Sequence, residues 1–409
     1  MATSKKDILE LKRRVKKTEH NFNKVCGVYV DANREKVLNF TQSFLDLEED
    51  EVYKYLEIAG KVLSGSVGNN ILQLKFTDTE KETGGKQQFL MGLRASELNS
   101  PELLDTLYDM IIEQYGYVGN FLVLMFYGAY DIMTKTSDEL KLDESEETYK
   151  YLLCAVCPVV LSKPGLGYRS DENRIGARIR DWVVSSPENG FVFPAFDERS
   201  SDIDSVIFYA KNPKEPHSEM MSEILGCAER RTSTQKKERI KAVVKNLKPT
   251  EDEGEMLYED LQSGIESYLA ERENMGEEEP VEVTHDAIIR LSQHMDVPEE
   301  VCEKIAIKIE EDLNGDDTQL DMLFDKKAVA ASQTRHATKK LINEVDELKE
   351  KIQEKDRQIE SFTGSGIDVV IKVTGDKESQ VVTQVIDGQR FLCVPVDDSD
   401  VISVNGHRV

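Results

Sequence analysis

The residues best suited to chemistry stand in the stretch FPAFDERSSDID, positions 193–204. Asp197, Asp202 and Asp204 could hold a hard cation such as magnesium, which takes one or two carboxylates and completes its shell with water. If 202–204 is extended, Asp202 and Asp204 project to one face and Ile203 to the other. Two carboxylates in different surroundings could also divide acid and base roles. Arg199 sits inside the cluster, and its guanidinium could neutralise the acids by a bidentate bond. Ser200, Ser201 and Asp202 are ordinary turn residues. The expectation is that these acids are held by their own neighbours, Arg199 foremost. The alternative is a metal-assisted hydrolase on Asp197, Asp202 and Asp204.

A second candidate is SKPGLGYRSDENRIGARIRDW, 162–182. Gly165 and Gly167 read as a flexible loop, and Arg169 and Arg174 follow it closely. A phosphate or carboxylate could be held there by backbone N–H groups and arginine forks. The loop matches neither the P-loop nor the dinucleotide fingerprint. Asp171, Glu172 and Asp181 offer local ion pairs, and that pairing is the simpler expectation. If the protein has a ligand pocket, this loop beside Trp182 and the 193–204 stretch is the place to look.

Other motifs carry less. Cys154 and Cys157 have redox or half-zinc spacing, but they lie in an apolar strand, where i and i+3 face opposite ways. Their thiols should be buried and inert. EEDLNGDDTQLD, 310–321, has Gly315 at the sixth place of a calcium loop. It starts with glutamate, has Asp317 where an apolar residue is needed and ends in aspartate. TGGKQQ, 83–88, reads as a hairpin tip. No GxSxG, HExxH or Cys/His nucleophile pattern is present, and the six histidines form no cluster. The expectation is no catalytic residue, no resident metal and no cofactor.

The elements that must position these residues are legible in part. An opening helix, 5–17, puts Ile8, Leu11 and Val15 on one face and lysines and arginines on the other. A strand at 24–32 and a helix at 48–63 follow, the helix closed by Gly65 as a left-handed cap. NNILQLKFT alternates as a strand. Ser100 caps a helix with Pro101 at its first position, and Gly116 ends it. FLVLMFYGAYDIM and YKYLLCAVCPVVL are long apolar strands expected to be covered on both faces. DWVV and GFVFP are shorter, and SPENG between them reads as a hairpin loop.

Beyond Pro216 the pattern turns helical, near 217–227, 234–247, 253–273, 285–295 and 298–313. Residues 230–248 are strongly basic and 251–321 strongly acidic. Mutual attraction of these neighbouring patches is the simplest account of both. Leu341, Val345, Leu348, Ile352 and Ile359 then fall on heptad positions, with Lys355 interrupting one, which suits a short coiled coil. After the hinge FTGSG, a small β module ends the chain, with hairpins at Asp387-Gly388 and in VNGHRV.

The formal net charge of −26 over 409 residues repels nucleic acid and anionic lipid as a whole-molecule effect. No apolar run approaches the ~20 residues that span a bilayer, so no membrane association is expected. The N-terminus lacks the apolar region of a secretory signal. Scattered cysteines suit a reduced, cytoplasmic setting.

The blocks FNKVCGVYVD, CPVVLSKPGLGY, DWVVSSPENGFVFPAFDERSSDIDSVIFYAKNP and VIDGQRFLCVPV resemble a family of uncharacterised bacterial cytosolic proteins classed as a domain of unknown function. The resemblance spans nearly the whole chain. It implies a bacterial, intracellular protein and carries over no activity and no catalytic residue.

The sequence thus predicts an α+β protein: a β-rich core with mixed or antiparallel pairing and flanking helices at 1–215, a charge-segregated helical region at 216–325, a coiled-coil arm at 326–363 and a small β module at 364–409. The expected function is non-enzymatic: an interaction or regulatory protein that binds protein partners and forms a homo-oligomer through Leu341, Val345, Leu348 and Ile352. A further alternative is an RNA- or ribosome-associated factor using the basic helices 5–17 and 230–248.

Overall fold

A computed structural model describes residues 3–16, 20–135, 141–277, 281–291, 294–295, 297–313, 318–363, 378–397, 403–404 and 407–408. The chain forms two compact units, Met1–Ser332 and Gln333–Val409.

In the first unit, α1 (Lys5–Arg13) starts at Ser4. The Ser4 hydroxyl accepts from the Asp7 N–H, and the Asp7 carboxylate accepts from the Ser4 N–H. The helix ends earlier than expected, yet Val15 in the turn beyond it is still buried. Next come β1 (Phe22–Val30), β2 (Lys36–Ser43), α2 (Glu49–Val62), β3 (Ile71–Lys75), α3 (Lys86–Ala95), α4 (Pro101–Gln114), β4 (Phe121–Lys135) and β5 (Lys141–Leu161). The Ser100 cap and Pro101 start of α4 are as the sequence predicts. Then follow β6 (Leu166–Arg169), β7 (Arg174–Ala177), β8 (Trp182–Val184), β9 (Asn189–Phe193), β10 (Ala195–Asp197), β11 (Ser200–Asp202) and β12 (Ser205–Ala210).

The main sheet is antiparallel, in the order β2-β1-β4-β5-β9-β12-β3, with β8 added on β5. Its central strands are apolar on both faces because both faces are covered. One face packs Met125, Leu152 and Cys154 against Leu93 of α3 and Leu107 and Ile111 of α4. The other packs Phe126, Leu153 and Cys157 against Ile8 and Leu11 of α1 and Leu56 and Val62 of α2. Cys154 and Cys157 therefore lie on opposite faces. Burial raises both thiols, Cys157 to about 12.

Several local expectations are corrected. β2, a strand the sequence did not announce, lies at the sheet edge with every residue exposed or half-buried. The 83–88 stretch is no hairpin: α3 begins at Lys86. SPENG joins two strands that do not pair with each other, since β8 and β9 both pair with β5, one after the other. Gly65 has φ 112°, but α2 is capped two residues earlier, at Leu63. The helix foreseen at 217–227 is only a π-helical turn, Met220–Ile224.

The helical region comprises α5 (Ser233–Lys245), α6 (Glu251–Met275), α7 (His285–Leu291), α8 (Glu299–Leu313) and α9 (Leu320–Leu323). Its separate core is built on Ile240, Leu257, Leu261, Ile265, Ile305 and Ile309. The centre of the calcium-like stretch lies outside the described residues. α10 (Lys326–Thr363) begins here, with Ala328 and Val329 buried.

In the second unit α10 continues, followed by β13 (Val382–Ile386), β14 (Gln389–Cys393), β15 (Ser403–Val404) and β16 (His407–Arg408). β13 and β14 form the expected hairpin. Asp387 and Gly388 both have positive φ, 53° and 78°, as a type I′ turn requires. The tip of the last hairpin lies outside the described residues.

Candidate interaction surface

The acids at 197–204 are built into a tight ribbon. β10 pairs with β11 through Asp197 and Ser200, and the two residues between them, Glu198 and Arg199, take φ of 46° and 61°. β11 ends at Asp202 and residues 203–204 turn, so Asp202 and Asp204 do not stand on one extended strand. Asp202 Oδ1 accepts from the Asp204 N–H at 3.0 Å, and its Oδ2 accepts from Gln73 Nε2 at 3.2 Å. Asp204 Oδ1 accepts from Gln87 Nε2 at 2.8 Å. Arg199 Nη1 pairs with Glu10 Oε2 of α1 at 3.3 Å. Amides hold Asp202 and Asp204, while the arginine expected to neutralise them ties the ribbon to α1. Among the described residues, no three His, Cys, Asp or Glu side chains converge as metal ligands.

The basic residues of α5 turn largely inward. Lys241 pairs with Glu255 at 2.6 Å, and Lys245 pairs with Glu255 at 2.8 Å and Glu251 at 3.3 Å. Burial alone would raise the Glu255 carboxyl, but Lys241 and Lys245 outweigh it and hold it below the usual range. Arg239 pairs with Asp312, and Lys237 Nζ donates to the Phe324 carbonyl at 2.6 Å. On α1, Lys5 and Lys6 are exposed.

The stretch 162–182 is a hairpin, not a flexible loop. Its register pairs Leu166 with Ala177, Gly167 with Gly176, Tyr168 with Ile175, and Arg169 with Arg174. Directly paired residues share a face. One face is thus arginine-bearing: Arg169 Nη1 reaches Glu172 at 3.0 Å, and Arg174 also pairs with Glu172. Arg169 Nη2 donates to the Ala177 carbonyl at 3.1 Å. Gly165 offers its carbonyl to the Arg178 N–H at 2.8 Å. The arginines thus pair locally, and Gly165 and Gly167 serve the strand pairing.

The other face of the hairpin is apolar and open to solvent. Leu166 is 78% exposed, and Tyr168 and Ile175 are each 64% exposed. Ile179 is exposed just beyond. On β8, Trp182, Val183 and Val184 are also exposed, Val183 opposite an exposed Val160 of β5. Sequence reading missed this face. Its signal was the period-two spacing of Leu166 and Tyr168, mirrored by Ile175 and Ala177 across a polar turn.

A second apolar stripe is on α10. Leu341, Val345, Leu348 and Ile352 are all exposed, at spacings of four, three and four residues.

This architecture defines a class: an α+β protein on an antiparallel sheet covered on both faces, with a helical region and a projecting amphipathic hairpin. The chain belongs to the family described as a domain of unknown function (DUF4317), whose pattern matches residues 3–407. No curated protein matches it. The family is one of unknown function, as the resemblance implied. No helix among the described residues is long and apolar enough to cross a membrane.

Proposed function

We propose that this protein works by binding another protein, through the apolar face of the β6–β7 hairpin and the adjoining β8. The observation that carries this reading is the exposure of Leu166, Tyr168 and Ile175 on one face of the hairpin, with Trp182 and Val183 exposed on β8, which follows it in the chain. Each exposed aliphatic side chain gains ~1.5–3 kcal/mol when fully buried, and large apolar patches are uncommon on monomers. A lone two-stranded hairpin is also marginal by itself, so an occupant that covers it would steady it.

The chemistry of the occupant follows from what surrounds the face. Between 162 and 181 the segment carries Lys163, Arg169, Arg174, Arg178 and Arg180 against Asp171, Glu172 and Asp181, a net +2 in a chain of net −26. A partner surface with apolar residues at its centre and acids at its rim complements it. Most of the exposed side chains are aliphatic, which favours protein over single-stranded nucleic acid, whose bases stack on aromatics.

The α10 stripe supports a second element of the reading, self-association with another copy of this chain. Heptad spacing on a 38-residue helix fits a coiled-coil seam. Two copies would present two hairpins and raise avidity for a repeated or dimeric partner.

The test is capture from the native cell by wild type and by a Tyr168→Ser, Ile175→Ser double variant, with mass spectrometry of proteins and sequencing of RNA. Both substitutions are on an exposed face, so the fold should persist by circular dichroism. A specific partner should bind the purified wild type directly and bind the variant at least about tenfold more weakly. Equal binding by the variant, or recovery of RNA alone, would refute the proposal.

A further inference from the structure

A cavity of ≈ 280 Å³ lies between the outer strands of the main sheet and the start of α4. Lys24 of β1 and Thr41 of β2 line it from the sheet, Asp105 and Tyr108 from α4, and Leu98 and Leu104 add an apolar wall. We propose that this cavity binds a free α-amino acid with an aliphatic side chain of about leucine's size. The site is separate from the docking surface proposed above and does not depend on it.

Strand alternation sets the position of the cavity. Cys26 packs into the core beneath α4, and Lys24, two residues before it, lies on the same face of the sheet. Thr41 is the direct partner of Cys26 on β2, so it shares that face as well. The chain approaches α4 through Glu97 and Leu98, whose φ values of 52° and 59° are left-handed. Two such residues in a row without a glycine cost free energy, and strain of this kind gathers at ligand clamps.

Charge selects the ligand. Lys24 is half-buried, and its ammonium donates to the neutral Asn99 Oδ1. Among the described residues no carboxylate pairs with it. At Asp105 the balance is reversed. Lys36 Nζ is shared between Asp105 at 3.1 Å and Asp109 at 2.7 Å, so one ammonium serves two carboxylates. Asn39 Nδ2 also donates to Asp105 Oδ1, at 3.3 Å. The cavity thus holds a cation whose partner is neutral and a carboxylate that shares its cation. A zwitterion answers both, with its carboxylate toward Lys24 and its ammonium toward Asp105. A simple anion meets repulsion from Asp105, and a simple cation meets it from Lys24.

The rest of the lining suits an amino acid. Leu98 and Leu104 are buried and offer an aliphatic side chain an apolar surface. Tyr108 supplies an independent sign. It is 3% exposed, and its hydroxyl is buried with no hydrogen-bond partner among the described residues. Buried polar groups are nearly always paired, and a polar atom of the ligand would supply the missing bond. The N-terminus of α4 is not the site's foundation, since the Leu103 N–H donates to Ser100 Oγ and the Leu104 N–H to the Ser100 carbonyl. The volume stands at the small end of ligand pockets, roughly 300–1,000 Å³, which suits one amino acid and excludes a folded peptide.

The experiment is calorimetric titration of the full chain at matched ionic strength. The probes are L-leucine, 4-methylpentanoate, which lacks leucine's ammonium, and 3-methylbutylamine, which lacks its carboxylate. Leucine should bind saturably, and each half-analogue at least about tenfold more weakly, for the loss of one charge-assisted contact. Lys24→Met and Asp105→Asn should each weaken leucine by a similar factor. Tyr108→Phe should keep or raise the unliganded melting temperature, because it removes an unsatisfied hydroxyl, yet still weaken leucine binding. Arg178→Gln, on the β6–β7 hairpin, should leave binding unchanged. Absence of saturable leucine binding to the wild type overturns the proposal whatever the variants do. So does either half-analogue binding as tightly as leucine, or unchanged leucine affinity in any two of Lys24→Met, Asp105→Asn and Tyr108→Phe.

Discussion

Asn189 accepts the Tyr115 hydroxyl at 2.8 Å inside the core, with both residues 1% exposed. The same amide donates from Nδ2 to the Pro216 carbonyl at 2.9 Å. One side chain on β9 thus fixes the end of α4 and the start of the segment that leads into the helical region. Burial raises the Tyr115 phenol, so it remains a donor. Tyr115→Phe leaves Asn189 Oδ1 without its donor and should destabilise by about 1–3 kcal/mol. Asn189→Leu orphans the hydroxyl and a carbonyl together and should cost at least as much. Denaturant unfolding of both variants measures this. A loss in Asn189→Leu below that of Tyr115→Phe would contradict it.

Glu219 should give the protein an acid-sensitive increment of stability. Burial works against its ionised form, but His217 Nδ1 at 2.7 Å and the Gly116 N–H at 3.0 Å outweigh it and hold the carboxyl below its ordinary value of 4.5. For a depressed carboxylate, the stabilisation is complete above the unfolded value and is lost as pH falls through the folded one. Glu219→Gln should therefore melt lower than wild type at neutral pH. The gap should narrow as pH drops below about 4.5. A gap independent of pH would show that the ionised form contributes nothing.

Two glycines should respond oppositely to alanine. At Gly190 on β9, a Cβ would stand 2.4 Å from the Cys154 carbonyl oxygen and 2.9 Å from a Val62 methyl. Backbone cannot yield as a side chain can, so Gly190→Ala should cost about 1–3 kcal/mol or more. At Gly60 in α2 a Cβ meets nothing within 4 Å. Gly60→Ala should stabilise by about 0.5–1 kcal/mol through helix propensity. Paired thermal melts decide both signs.

The α10 stripe predicts a multimer. Size-exclusion chromatography with light scattering should give wild type more than one chain per particle. Val345→Asp with Leu348→Asp should reduce it to the monomer, since two charges in a heptad seam cannot be buried together. A monomeric wild type would end this part of the reading.

Local chemistry was written plainly enough in the sequence to fix much of the fold. Apolar runs as long as those of β4 and β5 required a sheet covered on both faces, and Ser100-Pro101 required a helix start. The opposite charges of 230–248 and 251–321 anticipated the ion pairs of α5 with α6. Strand partners were not legible, because pairing depends on residues far apart in the chain. Nothing near SPENG tells β8 and β9 to pair with β5 instead of each other. For the same reason the partners of the acids at 202–204 were invisible: Gln73 and Gln87 reach Asp202 and Asp204 across more than a hundred residues. The sequence by itself determined the two-sided sheet, the helical region and the heptad stripe, since each follows from periodicity within one segment. Only the tertiary structure decided which charges are neutralised and which apolar face stays in water, because both depend on what the rest of the chain brings within a few ångströms.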